Sequence, residues 1–276
     1  MNYRHAFHAG NFADLLKHAA VLVLLEKMRA AGGAIQVIDT HAGAGAYDLQ
    51  GEAARKSGEA QAGIVQLLAA QDPPAVFAPL TAAVRRLNKS GAVKLYPGSP
   101  ALIVGALRPD DAYLGCELRP DDHGLLQQTL ADHPNAQALL TNGFAAASAK
   151  LDPKAANLVL IDPPFEAADD YDQIAAAVKV VLAARSQASL AIWVPLKDLE
   201  TFDALIRRLE AQGARDLLIV ETRLRPLLNP LKMNGCAMLL INAPDGVSAP
   251  LSQAAEWIAT HLGETGAASR VWSPST

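Results

Sequence analysis

Asp162, Pro163, Pro164 and Phe165 follow the apolar run 158–161 in the stretch NLVLIDPPFE. An exocyclic amine on a base shares its lone pair with the ring and is a poor nucleophile. A carboxylate and a rigid backbone carbonyl, from Pro163 or Pro164, can accept its two N–H bonds, while an aromatic face stacks on the base. Together they turn the nitrogen toward a methyl donor and stabilise the charge that develops as it attacks. The bland alternative is a strand-ending turn with a core phenylalanine.

The elements that must position this tetrad are legible around it. The run 158–161 reads as a strand buried on both faces, and the two prolines must end it, because neither has an N–H to donate to a neighbour. Asp162 and Phe165 then sit at the mouth of a parallel sheet, where open α/β folds bind ligands. An earlier buried strand, 34–39, ends in Asp39 and runs into Thr40-His41-Ala42-Gly43-Ala44-Gly45, a turn whose glycines let backbone approach a ligand. The dinucleotide fingerprint is incomplete, because Asp48 stands where its last glycine would fall. A third strand, 113–117, ends in Glu117, a carboxylate able to accept from both hydroxyls of a ribose. A fourth, 138–141, ends at Asn142-Gly143, where Asn142 can donate to and accept from an adenine edge and Gly143 admits close backbone. A glycine loop first and an amino-group motif on a later strand is the order expected of an S-adenosylmethionine-dependent methyltransferase.

The remainder of the chain fills in the scaffold. From Phe12 the pattern is helical, with Asn11 as N-cap and Gly32-Gly33 as the stop. Ahead of it lies a polar and aromatic arm with Tyr3, Arg4, His5 and His8. Roughly seventy residues separate the glycine loop from the next strand, far more than an ordinary crossover. They predict a mostly helical inserted subdomain over 51–95, with residues 1–50 and 96–276 forming the main domain. Its end, 85–94, carries Arg85, Arg86, Lys89 and Lys94 and no acid, and reads either as a solvated helix end or as a phosphate-contacting rim. Beyond the tetrad, helices are expected over 171–184 and 199–211 and a strand over 188–194. Strands 217–221 and 236–242 are expected as the last two, an antiparallel pair at the sheet edge, with a basic, proline-rich loop between them. A final helix is expected over 253–261.

Composition narrows the function classes. The 276 residues are 51% hydrophobic, enough for a large core, with a formal charge of −4, so a nucleic-acid surface must be local. No apolar segment reaches about 18 residues without a charge, so no membrane span is expected. The residues near the start, His5, His8, Asn11 and Asp14, leave no apolar centre for a secretory signal. Cys116 and Cys236 read as reduced, buried thiols of a cytoplasmic protein. His5, His8, His18 and His41 lack the thiolates or paired carboxylates that would complete a metal site, so no metal is expected.

The tetrad resembles the (D/N)-P-P-(Y/F/W) motif of amino-methyltransferases. More broadly, the opening YRHAFHAGNFADLLKH, the loop DTHAGAG, the turn YPGSP and IDPPFE together resemble, in order and over nearly the full length, the bacterial large-subunit ribosomal RNA adenine N6-methyltransferase family RlmJ, formerly YhiR. The resemblance implies a Rossmann-like α/β methyltransferase with a helical insertion, acting with S-adenosylmethionine on an adenine of 23S ribosomal RNA before full ribosome assembly. No membrane and no obligatory protein partner are implied. It places His18, His41, Ser99, Glu117, Asn142, Gly143 and Asp162 at the cofactor, Asp162 also at the reacting amine, and Tyr3 at the RNA, with Arg4 and Lys17 beside these motifs. This chain has Asn142-Gly143 and Phe165 where the family commonly has Asp-Gly and tyrosine. The ring survives that exchange, and a charge beside the cofactor's adenine is lost. A DNA adenine methyltransferase or an inactive RNA-binding assembly protein are the competing readings.

Overall fold

The computed structural model describes residues 5–89 and 91–274; Tyr3 and Arg4, both expected at the substrate, lie outside the described residues. After a 3-10 turn at His5–Phe7, helix α1 runs Phe12–Ala31. Asn11 caps it as expected, its side chain accepting from the Asp14 N–H. Strand β1 (Ile35–Asp39) and the short β2 (Ala46–Asp48) follow. Helices α2 (Glu52–Ser57), α3 (Glu59–Ala62), α4 (Ile64–Ala69) and α5 (Ala78–Leu87) make up the long connection. Strand β3 (Leu95–Pro97) then pairs antiparallel with β2 and closes the neck of the insertion.

The chain returns through α6 (Ser99–Val104), β4 (Ala112–Glu117), α7 (Pro120–Leu130), β5 (Ala136–Leu140), α8 (Gly143–Ala149) and β6 (Ala156–Ile161). Its last part comprises α9 (Asp170–Ala184), β7 (Ser189–Leu196), α10 (Leu199–Ala211), β8 (Leu217–Arg223), β9 (Gly235–Ile241), α11 (Ser248–Leu262) and β10 (Ala268–Trp272).

Eight strands form one sheet in the order β10-β8-β9-β7-β6-β1-β4-β5. β1, β4, β5, β6 and β7 are mutually parallel, and β9 runs antiparallel to both β7 and β8. From β1 the chain winds outward to β4 and β5, then crosses back to β6 and winds the other way. The reversal opens a crevice between the carboxyl ends of β1 and β6, the place where such sheets bind ligands. Asp39 and Asp162 flank it. Along β6, Leu158 and Leu160 join the core on the α1, α6 and α11 side of the sheet, while Val159 and Ile161 join the core under α9 and α10. That strict alternation, with all four side chains fully buried, is why the run 158–161 is uninterruptedly apolar.

The structure corrects or extends the sequence reading at three points. The pair β8 and β9 is not the end of the sheet, because β10 adds antiparallel outside β8. Its sequence ASRVW, exposed at 268–270 and half-buried at Val271 and Trp272, lacks the continuous apolar run that marks the inner strands. Within the helical insertion the chain breaks at Gly63, between α3 and α4, where an added Cβ would lie 2.2 Å from the Gly10 carbonyl oxygen, and Ile64 N–H bonds to that carbonyl. Finally, α1 does not bury one face only. From Phe12 to Leu25 every residue is buried, because the insertion covers the side that the sheet leaves open. That envelopment takes Asp14, Lys17 and His18 out of water together.

Candidate active site

A cavity of about 420 Å³ opens at the crevice. Its walls bring together Lys17 of α1, the whole of Thr40-His41-Ala42-Gly43-Ala44, Ser99 at the start of α6, and Glu117 at the end of β4. Asn142, Gly143, Asp162 and Pro164 complete the part of it that the sequence singled out. These residues are as far apart as 147 positions differ in number, and only the strand order places them around one space. Tyr47, Leu118, Asp122, Leu125 and Phe144 also line it.

Asp162 ends β6, and its Oδ2 accepts from Lys17 Nζ at 2.6 Å. The same ammonium lies 2.8 Å from Asp14 Oδ1, one helical turn back on α1. Asp14 Oδ2 in turn accepts from the Gly10 N–H at 2.8 Å and meets His5 Nε2 at 3.2 Å. Burial works against the Lys17 charge, but Asp14 and Asp162 outweigh it and hold its pKa well above the usual value. Burial likewise opposes the Asp14 charge, and Lys17, then His5 and His18, hold its carboxyl well below the carboxylate range. The ion cluster is therefore charged and fixed. Asp162, held through Oδ2 by Lys17, is itself part of the cavity wall.

The loop after β1 is built for close approach. Gly43 has φ of 64°, and a Cβ there would lie 2.3 Å from the Tyr47 hydroxyl. Gly143 is tighter still, since its Cβ would meet the Thr40 carbonyl oxygen at 1.9 Å, so α8 can start against this loop only with glycine there. Glu117 accepts from Gly43 N–H at 3.1 Å through Oε2 and from Arg119 N–H at 2.8 Å through Oε1. One bond on each oxygen orients the carboxylate and leaves further lone pairs for a diol. Asp39 and Ser99 form the floor: Ser99 Oγ donates to Asp39 Oδ2 at 2.7 Å and the Tyr113 hydroxyl donates to the same oxygen at 3.2 Å. Burial raises Asp39 to about 6 against the lowering effect of Ser99. His41 Nδ1 pairs with Thr40 Oγ1 at 2.7 Å, its ring edge meets Phe144 at 4.8 Å, and burial pushes its pKa down to about 4, so it is neutral near pH 7.

Several expected residues stand elsewhere. His18 is 1% exposed and does not line the cavity. Its Nδ1 bonds to the Tyr96 hydroxyl at 2.8 Å, and burial lowers its pKa to about 3. On α1 it points one residue further round the turn than Lys17, into the core. Pro163 is buried behind the wall, and Phe165, at a left-handed φ of 53°, packs its ring on Tyr171 at 5.1 Å and Trp193 at 5.6 Å. The turn that frees Asp162 thus sends the next aromatic against α9 and β7, so in this structure its face is not open to a base. Arg86, Lys89 and Lys94 are exposed, but they cluster where α5 meets β3 and do not line the cavity. Asn142 lines it, yet its Oδ1 caps α8 by accepting from Phe144 N–H at 2.9 Å, so the side-chain oxygen expected at an adenine edge is engaged with backbone.

Sequence reasoning missed Asp14 and Tyr47 as parts of the site, and read Asp39 and Thr40 only as the end of a strand and the start of its turn. The spacing Asp14-x-x-Lys17-His18 puts three polar groups on one helix face at i, i+3 and i+4, a signal that was readable once the helix was known to be buried. Among the described residues no group of three histidine, cysteine or acidic side chains could hold a metal ion. His8 meets Glu59 at 2.9 Å, while His5 and His18 both lie against Asp14.

The chain is similar to known proteins over nearly its full length. A family model described as ribosomal RNA large subunit methyltransferase D, RlmJ, matches residues 33–274. The chain is 35% identical over 246 residues to ribosomal RNA large subunit methyltransferase J of Haemophilus influenzae, covering 88% of each chain. It is 32% identical over 263 residues to the protein of the same name from Escherichia coli, covering 95% of this chain and 94% of that one. A crystal structure of protein LPL1258 from Legionella pneumophila superposes with a TM-score of 0.90 at 26% identity, over 97% of this chain and 99% of the other.

Proposed function

This chain belongs to the RlmJ family of ribosomal RNA methyltransferases, and on that premise we propose how its cavity divides the work. The activity is transfer of a methyl group from S-adenosylmethionine to the N6 amine of an adenine in 23S ribosomal RNA. The family gives no support to a DNA methyltransferase or to an inactive assembly protein. The observation that carries the residue assignment is the geometry of Asp162, fixed by Lys17 at the mouth of the crevice and facing the cavity.

The chemistry of the cavity wall fits the cofactor: Glu117 is oriented by one bond on each oxygen and keeps lone pairs for a diol, beside the Gly43 turn and Ser99. Glu117 takes the ribose hydroxyls, His41 and Ser99 line the methionine half, and Gly143 with the Asn142 amide borders the adenine. When bound, S-adenosylmethionine supplies an activated methyl group on a sulfonium. A neutral His41 adds no charge against that sulfonium.

The adenine must leave its stack for its amine to reach this point. Asp162 and the carbonyl of Pro163 or Pro164 accept its two N–H bonds, and Asp162 stabilises the positive charge that develops on N6. Phe165 supports the turn through Tyr171 and Trp193, and reaches the base only if its ring leaves them. Tyr3, Arg4 and the rim Arg86, Lys89 and Lys94 contact the RNA, while Lys17, buried between Asp14 and Asp162, acts on it through Asp162. The inserted region 51–95 acts as a unit on that side. The substrate is RNA not yet covered by ribosomal proteins, which places the enzyme in the cytoplasm.

The test is single-turnover transfer of labelled methyl to unmodified large-subunit ribosomal RNA, followed by digestion to nucleosides. Asp162→Asn keeps size and one acceptor oxygen but loses the charge, so the rate falls about 10²-fold or more, roughly 3 kcal/mol. A product other than N6-methyladenine would overturn the reaction, and near-normal transfer by the folded variant would overturn the role of Asp162.

A further inference from the structure

The loop over 224–234, between β8 and β9, holds two leucines in water. Leu228 is 86% and Leu231 93% exposed, far more than any other large apolar side chain described. The loop is nonetheless built. Asn234, fully buried, donates its Nδ2 to the Asn229 carbonyl at 2.8 Å and the Lys197 carbonyl at 3.1 Å, and its N–H to the Leu196 carbonyl at 3.0 Å. Asn229 Oδ1 accepts from Leu231 N–H at 3.0 Å, and Pro226 and Pro230 restrict the backbone between these ties. Leu227 turns inward against the core beneath α9 and α10. One leucine anchors the loop while two are presented outward, which marks a contact surface rather than a failed core.

Its position follows from the sheet. β8 and β9 are antiparallel, as are β9 and β7, so β8 points the same way as β7 and β6. The loop therefore leaves the sheet at the end that carries Asp162. At about 4.8 Å per strand it lies roughly 10–15 Å across from β6, within reach of nucleotides flanking the one at Asp162. Its charge suits phosphates: no acid occurs between Glu221 and Asp245, a span with Arg223, Arg225 and Lys232, in a chain of net charge −4. Arg223 and Arg225 are steadied by Glu221 at 2.6 Å and Glu264 at 2.5 Å, while Lys232 follows Leu231 in the chain and the Lys197 carbonyl is tied to Asn234 at the base of the loop.

We propose that Leu228 and Leu231 form an apolar wedge that enters the base stack of the RNA beside the adenine being turned out, with Lys197 and Lys232 on the adjoining phosphates. Extruding a base leaves a gap between its neighbours. An aliphatic side chain entering that gap offsets the lost stacking and is itself removed from water. The inference rests on the ribosomal RNA reading of the site, and concerns only how the stack is opened.

The experiment compares the full chain with its Leu228→Ala/Leu231→Ala variant on two RNAs under single-turnover conditions. One is transcribed, unmodified large-subunit RNA, in which the target lies in folded structure; the other is a short unstructured adenosine-containing oligonucleotide at high concentration. Exposed leucines contribute nothing to the core, so the variant keeps its dichroism and its affinity for S-adenosylmethionine. The expected result is a tenfold or greater loss on folded RNA with less than a twofold change on the oligonucleotide. Equal rates on folded RNA, or equal losses on both, overturn the wedge. So does a parent chain that sediments as a dimer where the variant is a monomer, since the leucines then cover each other. A parent chain inactive on both RNAs overturns the RNA reading itself, and this inference with it.

Discussion

Lys17 Nζ stands 2.6 Å from Asp162 Oδ2 and 2.8 Å from Asp14 Oδ1, tying the first helix to the residue that meets the substrate amine. Removing the ammonium leaves two carboxylates buried near each other, a change of the kind that costs about 3–5 kcal/mol. Lys17→Gln should therefore lower stability and slow single-turnover transfer by roughly tenfold or more, as Asp162 loses its fixed direction. Asp14→Asn, which leaves Lys17 paired to Asp162 alone, should retain more activity. Denaturant unfolding and transfer assays check both; transfer at the parent rate by folded Lys17→Gln would remove Lys17 from the positioning of Asp162.

Glu117 spends one bond on each oxygen holding Gly43 and Arg119 and keeps lone pairs for a ribose. Glu117→Gln should weaken S-adenosylmethionine binding by about 1–3 kcal/mol, the worth of a charge-assisted acceptor. Calorimetry on the folded variant measures this directly. Unchanged affinity would take Glu117 out of the cofactor pocket.

Arg86, Lys89 and Lys94 are exposed and away from the cavity. If they touch RNA phosphates, neutralising all three should flatten the dependence of log affinity on log salt by roughly two to three units and leave cofactor binding alone. Filter binding across a salt series gives the slope. A slope that does not move would make them an ordinary solvated helix end.

Acid sensitivity should come in part from His18. Its folded pKa of about 3 lies below the ordinary 6.5, so between those values the unfolded chain binds a proton that the fold does not. Stability is then lost as pH falls from about 6.5, by roughly 1.4 kcal/mol per pH unit for each such proton. His41, at about 4, acts in the same direction, and Asp39, at about 6, acts oppositely between about 6 and 3.8. His18→Gln should make the slope of unfolding free energy between pH 4 and 6 shallower by about one proton. A slope identical to the parent would mean that His18 is protonated in the fold.

Much of the sheet could be read from local chemistry. Helix α10 begins and ends where its apolar spacing says, and β6 stops at Pro163 because proline has no N–H to give. β10 escaped notice because an edge strand with one solvated side needs no apolar run, and ASRVW has none. The break at Gly63 escaped because it is imposed by Gly10, a residue distant in sequence.

The sequence by itself determined the chemistry on offer: an acid and two prolines ending a buried strand, glycines at two strand ends, and Glu117 at a third, since backbone restriction and side-chain type are local properties. The tertiary structure decided which of these groups share a space. Burial of α1 beneath the insertion drew Lys17 onto Asp162 and turned His18 into the core, because charges taken out of water must find one another. It also sent Phe165 onto Trp193, and held Leu228 and Leu231 outward, through contacts between strands that no local pattern encodes.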